Sequence, residues 1–290
     1  MKANLFWILT ALIFLGIIPT LIFWPKAKLL FPQADYTPQL SYKLQSKIAA
    51  PQALDFSTAK KLTVKASFYL VFNLDSGQVY LASGAAEKIS PASFTKLLTG
   101  QVALDLGFSD QLLTATRTSV DKVPTILGLK VGEQFQLSDL LHAAIATSAN
   151  DAAATLAEGI ASQNGLVLSD FVDLMNKKGE LLKMENSHFS NPDGLDDTAQ
   201  FSTLTDIARL VQNTVKNYPE IMAAAISDRQ DITESSTHGF YYVSNWNGLL
   251  GVYPGVFGGK IAFTENAGNS TIVLSERNKV RLAVIVSGAP

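Results

Sequence analysis

The chain contains no cysteine. That excludes a disulfide framework, a thiol nucleophile and any thiolate-held zinc or iron–sulfur centre. It does not fix a compartment, because a chain without thiols is indifferent to redox potential. Histidine is scarce: His142, His188 and His238 are widely separated and share no ligand spacing. His142, on an apolar helical stretch, reads as a hydrogen-bonded residue at the edge of the core. An excess of positive charge is also missing. Lys+Arg number 23 against 25 Asp+Glu, a net charge of −2, whereas general nucleic-acid binders are strongly basic. With 19 glycines and 11 prolines in 290 residues there is no low-complexity stretch, and no internal repeat is visible. Charged residues are 17% and hydrophobic residues 47%, far from a disordered composition. Asp193, Asp196 and Asp197 lie close together but do not fit a calcium-loop pattern and read as turn residues.

One segment is markedly apolar. From Leu5 to Trp24 there is no charged residue, enough for a helix to span a bilayer. Trp7 and Trp24 lie near its ends, where amphipathic aromatics are favoured. Residues 1–25 are therefore expected to be a transmembrane signal anchor. A cleaved signal peptide is the competing reading, but its apolar core is shorter and ends at small residues, whereas Phe23-Trp24-Pro25 is bulky. Lys2 on one side and Lys26 and Lys28 on the other leave orientation unsettled by charge. Residues 26–66 carry seven lysines, two acids and Pro32, Pro38 and Pro51; no period persists, and a stalk is expected.

The globular part, 67–290, starts with alternating apolar residues. Phe68–Leu74 and Gln78–Ala82 flank the turn Asp75-Ser76-Gly77 and predict a hairpin. Helical spacing predicts helices over 93–106, over 137–159 with a break at Ser148-Ala149-Asn150, over 168–182 and over 203–215. In that reading Asp151 caps the helix after the break. Three strands are expected at the end, 258–264, 270–275 and 280–287. The expected fold class is α+β: an antiparallel sheet flanked by helices, with a helical subdomain inserted at about 108–215, preceded by the transmembrane helix.

Three motifs carry chemistry. In Pro91-Ala92-Ser93-Phe94-Thr95-Lys96, Ser93 and Lys96 stand at i and i+3 on one helix face. A lysine so placed serves as base for a serine nucleophile if burial or another cation depresses its pKa; alone, the pattern is also that of a helix start with a surface lysine. Ser148-Ala149-Asn150 interrupts a helical run, either as a plain turn or as a hydroxyl relay with an amide for substrate. Gly258-Gly259-Lys260 enters a strand, where glycines permit close backbone approach and the lysine supplies either positive potential or an ordinary charged edge.

Together, and in this order, the motifs resemble those of the serine-type D-alanyl-D-alanine carboxypeptidases, the low-molecular-mass penicillin-binding proteins. Phe189-Ser190-Asn191-Pro192-Asp193-Gly194-Leu195 and Tyr253-Pro254-Gly255-Val256 extend the likeness, which covers about 67–288. The resemblance implies the fold shared by penicillin-binding proteins and β-lactamases. It implies Ser93 as the acylated residue, Lys96 as its base and Ser148 as a proton relay. Asn150, Lys260, Phe263 and Thr264 would bind substrate, with Lys260 helping to keep Lys96 neutral and the backbone N–H groups of Ser93 and Phe263 forming an oxyanion hole. It implies no metal or organic cofactor and no nucleic acid. The partners it implies are peptidoglycan stem peptides, β-lactams as covalent inhibitors, and the cell membrane, with a single span and an extracytoplasmic catalytic domain. This sequence departs from the family in three places. The family's K-T-G is Lys260-Ile261-Ala262, so a hydroxyl is lost and a methyl gained. Relatives continue past the last strand into a helix that can carry an arginine for the substrate carboxylate, and many add a C-terminal β-domain; here Pro290 is the last residue. These departures keep open a non-hydrolytic, wall-binding scaffold. A β-lactamase is a lesser alternative, since no E-x-x-L-N element stands in 162–190.

Overall fold

The period-2 segments at the two ends of the globular part meet in one sheet. The computed structural model describes residues 38–48 and 53–290, and Pro38–Pro290 form one compact unit. In chain order its elements are α1 (Pro38–Ser46), β1 (Phe68–Asn73), β2 (Val79–Ser83), a 3-10 turn (Ala92–Phe94), α2 (Thr95–Leu106), β3 (Leu112–Thr114), α3 (Arg117–Val120), β4 (Gln134–Gln136) and α4 (Leu137–Ala146). There follow α5 (Asn150–Gln163), α6 (Leu168–Leu181), α7 (Leu204–Asn217), α8 (Pro219–Ile226), β5 (Val256–Ala262), β6 (Asn269–Arg277) and β7 (Val280–Ala289).

The main sheet has five strands in the order β2-β1-β7-β6-β5, every pairing antiparallel. Across it the register aligns Leu70, Ile285, Ile272 and Lys260 on one face, and all four are buried. Lys260 thus ends an apolar row on the inner face of edge strand β5, which is why it is buried rather than solvated. Helices α7 and α8 and the 3-10 turn pack on the sheet, α7 against β1 and β7, α8 and the turn against β5. Helix α7 therefore belongs with the sheet layer and not, as its place before residue 215 suggested, with the inserted subdomain. That subdomain comprises α3 to α6 and the two-stranded β3–β4 ribbon.

Helix α2 lies between the two layers and every residue of it is buried. Its polar side chains are buried too and find partners inside, Gln101 donating to Thr214 Oγ1 at 2.8 Å and Thr99 to Pro192 O at 2.7 Å. Its far end is fixed by a buried ionic cluster. Lys178 Nζ lies 2.8 Å from Asp105 Oδ2 and donates to Leu44 O at 3.0 Å, and the Tyr218 hydroxyl donates to Asp105 Oδ1 at 2.8 Å. Burial raises the Asp105 pKa and lowers that of Lys178, while their mutual attraction opposes both shifts.

Two expectations need correction. The 26–66 stretch is not wholly an unpacked stalk. Helix α1 packs on α2 and α6 with Leu44 fully buried, and Asp55 and Lys60 pair with β2 in parallel bridges that cover its free edge. The short helix escaped notice because only Leu40 and Leu44, one turn apart, mark its buried side. His142 is buried, but its Nε2 finds no hydrogen-bond partner, and burial lowers its pKa. Among the described residues no helix is long and apolar enough to cross a membrane; the 5–24 run expected to do so lies outside them.

Candidate active site

Ser93 stands in the 3-10 turn that leads into α2. The residue before it, Ala92, has φ of 45°, a left-handed conformation that an L-residue adopts only when its surroundings impose it. Phe94 is fully buried beside it and contributes roughly 1.5–3 kcal/mol by that burial. Gly194 lies against this turn. A Cβ at that position would lie 2.0 Å from Ala92 O, and Gly194 itself has φ of 84°. The Asn-Pro-Asp-Gly turn is therefore the backing of the serine turn. Asn191 closes it by accepting from Gly194 N at 2.7 Å, and Thr99 of α2 donates to Pro192 O at 2.7 Å.

One turn into the helix, Lys96 Nζ lies 2.9 Å from Ser93 Oγ, 2.7 Å from Asn150 Oδ1 and 2.5 Å from Asp193 O. Those three acceptors occupy all the N–H bonds of an ammonium. Burial lowers the Lys96 pKa to about 8, with the charges of Asp193 and Asp151 opposing the shift. Of the two causes left open by the sequence, burial or another cation, burial is the one that depresses Lys96.

The break after α4 brings the second group. Thr147 Oγ1 and N close the helix end on Ala143 O, and Ser148 follows with φ of 63°. Lys260 Nζ donates to Ser148 Oγ at 2.7 Å and to Ile261 O at 2.8 Å. Burial takes the Lys260 pKa well below the ordinary lysine range, and the charge of Lys96 lowers it further. The Asn150 amide is oriented from both sides, since its Nδ2 donates to Val123 O at 2.9 Å. Asp151 does not cap α5: the N-cap is Ala149, without a side-chain bond. Its buried carboxylate instead accepts from the backbone N–H groups of Leu127, Gly128 and Leu129 at 2.8–3.0 Å. Asp151 thereby anchors the loop that brings Val123, Pro124 and Thr125 to the site.

The cleft between these elements holds about 490 Å³. Ser93, Ser148, Asn150, Phe263 and Thr264 line it, while Lys96 and Lys260 stand behind that lining, each 2% exposed or less. All seven residues singled out in the sequence are thus brought to one place. The glycines of β5 work as expected: a Cβ on Gly259 would lie 2.2 Å from Ile272 O. Three residues were missed. Trp246, half exposed, forms part of the cleft wall. Asp193 offers its carbonyl to Lys96, and its Oδ2 stands 3.2 Å from Lys122 Nζ. Asp196 accepts from Ser90 Oγ at 3.0 Å, Thr264 Oγ1 at 2.7 Å and Asn266 N at 3.1 Å, so it ties the segment after β5 to the segment before Ser93. Asp193 sits inside the recognised turn motif and Asp196 directly after it, which was the available signal; Trp246 had none. Among the described residues no group of histidine, aspartate and glutamate side chains is placed to hold a metal.

The model of peptidase S11, D-alanyl-D-alanine carboxypeptidase, matches residues 55–290. The chain belongs to that family. It is 28% identical over 249 residues to D-alanyl-D-alanine carboxypeptidase DacF of Bacillus subtilis, covering 83% of this chain and 62% of the relative. It is 29% identical over 248 residues to DacC of Escherichia coli, covering 80% and 58%. The chain spans about three-fifths of the length of these two relatives. Among solved structures, the family fold recurs in a D-alanyl-D-alanine carboxypeptidase from Mycobacterium tuberculosis, with TM-score 0.72, 25% identity and coverage of 82% of this chain and 88% of that one. It recurs also in the Streptomyces K15 DD-transpeptidase, with TM-score 0.73, 24% identity and coverage of 79% and 92%; at that identity the likeness concerns the fold.

Proposed function

We propose that the chain is a membrane-anchored serine D-alanyl-D-alanine carboxypeptidase that trims peptidoglycan stem peptides through a Ser93 acyl-enzyme. The observation that carries this reading is the buried Lys96 Nζ at 2.9 Å from Ser93 Oγ with a pKa of about 8. A base of that pKa is about one-tenth neutral at pH 7, against far less for an ordinary lysine, and still accepts a proton in the transition state. Lys96 takes the Ser93 proton as Oγ attacks the D-alanyl carbonyl. Developing negative charge is held by backbone N–H donors at Ser93 and Phe263, the first of them beside the start of α2. Ser148, backed by Lys260, hands a proton to the departing amine, and the C–N bond breaks. Water then hydrolyses the ester and regenerates Ser93. Asn150 holds the substrate amide, and Thr264 lines the far wall. β-Lactams acylate the same serine. Residues 5–24 form the membrane anchor, with the remainder on the wall side of the cell membrane.

The test is labelling of the whole chain with a fluorescent penicillin. One stoichiometric adduct is expected, mapped to Ser93 by mass spectrometry and absent from Ser93→Ala. That variant should stay folded, since loss of a hydroxyl at a cleft surface rarely costs much stability. An adduct that survives Ser93→Ala removes the assignment. A folded protein that forms no adduct and releases no D-alanine favours the non-hydrolytic, wall-binding reading, for which the altered Ile261-Ala262 strand is the supporting observation.

A further inference from the structure

Lys122 stands outside the cleft lining but reaches the site through one buried acid. Its Nζ lies 3.2 Å from Asp193 Oδ2, with the Lys122 side chain 21% exposed and that of Asp193 1%. That oxygen accepts no hydrogen bond, and Asp193 Oδ1 accepts one, from Leu195 N at 3.1 Å. A buried carboxylate is costly unless it is paired, and here a single N–H and the Lys122 ammonium do the pairing. Asp151, the other acid near Lys96, is answered by the N–H groups of Leu127, Gly128 and Leu129 instead. One loop grips Lys96 from two sides. Asn150, which accepts from Lys96 Nζ, is bonded through Nδ2 to Val123 O and through its N–H to Thr125 O at 2.7 Å. Asp193, whose carbonyl accepts from the same Nζ, is held by the neighbouring Lys122.

The charges that face Lys96 come from several elements: Asp193 from the Asn-Pro-Asp-Gly turn, Asp151 from α5 and Lys260 from β5. Helix α2 adds none of its own before Asp105, which is paired with Lys178 at the far end. Burial comes first in lowering the Lys96 pKa, and of the charges that oppose it Asp193 stands ahead of Asp151. An anion beside an amine favours the protonated form, and only the neutral amine can take a proton. Left unpaired, the Asp193 carboxylate would hold the proton on Lys96. We propose that Lys122 is a positioning residue for the acylation step: by pairing with Asp193 it screens that carboxylate from Lys96, so that the Lys122–Asp193 pair sets the pH at which Ser93 becomes reactive. This rests on the Ser93 acyl-transfer reading and leaves its steps unchanged. Lys96 takes the Ser93 proton, and Lys122 neither gives nor receives one.

The experiment follows the acylation rate of the whole chain with a fluorescent penicillin as a function of pH. In Lys122→Gln, and equally in Lys122→Ala, the midpoint is expected to rise by about one pH unit. Acylation at pH 7 then slows about tenfold while the high-pH plateau is kept. A merely structural loss would lower the plateau and leave the midpoint in place. Lys122→Arg, which keeps the charge, should retain the parent midpoint. Asp193→Asn should lower it, and Lys122→Gln added to Asp193→Asn should shift it by less than about 0.3 units, since no carboxylate is left to screen. A midpoint that stays within about 0.3 units in Lys122→Gln, or that moves equally with and without Asp193, overturns the proposal. If the parent forms no adduct, the acyl-transfer reading fails, and the Lys96 titration is read directly by carbon NMR of isotopically labelled lysines, its signal assigned by loss in Lys96→Arg. An upward shift of that titration in Lys122→Gln still supports the screening, and an unmoved titration overturns it.

Discussion

Lys96 shows how a single residue is made reactive by what surrounds it. Its ammonium is held by three oxygens, yet its burial favours the neutral form, and the balance leaves a pKa of about 8. Only neutral Lys96 can take the Ser93 proton. The acylation rate constant with penicillin should therefore climb about tenfold per pH unit below 8 and level off above it; a stopped-flow profile flat between pH 6 and 9 would sink the assignment of Lys96 as base. Asp196 acts differently, through others. It is an exposed carboxylate that gathers Ser90, Thr264 and the Asn266 N–H, and so fixes the spacing between the two backbone segments expected to donate to the oxyanion. Asp196→Ala should slow acylation by about tenfold, the equivalent of one charged hydrogen bond at about 1.4 kcal/mol. The pH midpoint should stay where it is and the thermal midpoint should scarcely move. A rate unchanged within twofold would reduce Asp196 to a surface turn residue. Its place directly after the Asn-Pro-Asp-Gly-Leu stretch was legible in the sequence, but its partners, 68 and 106 residues away, were not.

Strand β5 carries the departure from the family's K-T-G pattern at Lys260-Ile261-Ala262. Gly259 lets it lie against β6, where a Cβ would strike the Ile272 carbonyl, and Gly258 faces Ile226 and Ala225 at the end of α8. Beyond Lys260 the family's hydroxyl and glycine are replaced by Ile261 and Ala262, which line the cleft. Ile261→Thr restores a donor and Ala262→Gly clears a methyl from the strand edge. If these side chains limit binding of ligands bearing a carboxylate, the double variant should be acylated by penicillin about 10- to 100-fold faster, since a hydrogen bond to a charged group contributes roughly 1.5–3 kcal/mol. Slower acylation than the parent, measured as kinact/KI, would mean that the strand is adapted to another ligand. The helix break at Ser148 was visible as an interrupted period. Its purpose was not, because the left-handed Ser148 and the burial of Lys260 depend on elements that adjoin only after folding.

At the scale of the molecule, the sheet joins the beginning and the end of the globular part, β1 beside β7, and the inserted helices meet it along the buried α2. The cleft lies where these layers meet, so Ser93, Ser148 and Lys260 come to it from three separate parts of the chain. The apolar run at 5–24 and the wall-directed chemistry lead to a proposed topology with the N-terminus inside and the globular part outside. A reporter fused after Pro290 should be active only when it is one that works outside the cell membrane; activity of a strictly cytoplasmic reporter there overturns that topology, and a mature N-terminus beyond Pro25 would show cleavage in place of anchoring. By itself the sequence determined the five strands of the main sheet, the main helices and the three motifs, since alternation, helical period and turn residues are local properties of the chain. Only the tertiary structure decided that α1 packs within the expected stalk, that α7 joins the sheet, and that Asp151 anchors a loop. It also decided that Lys96 is depressed by burial, because desolvation and long-range hydrogen bonds exist only once distant segments exclude water together.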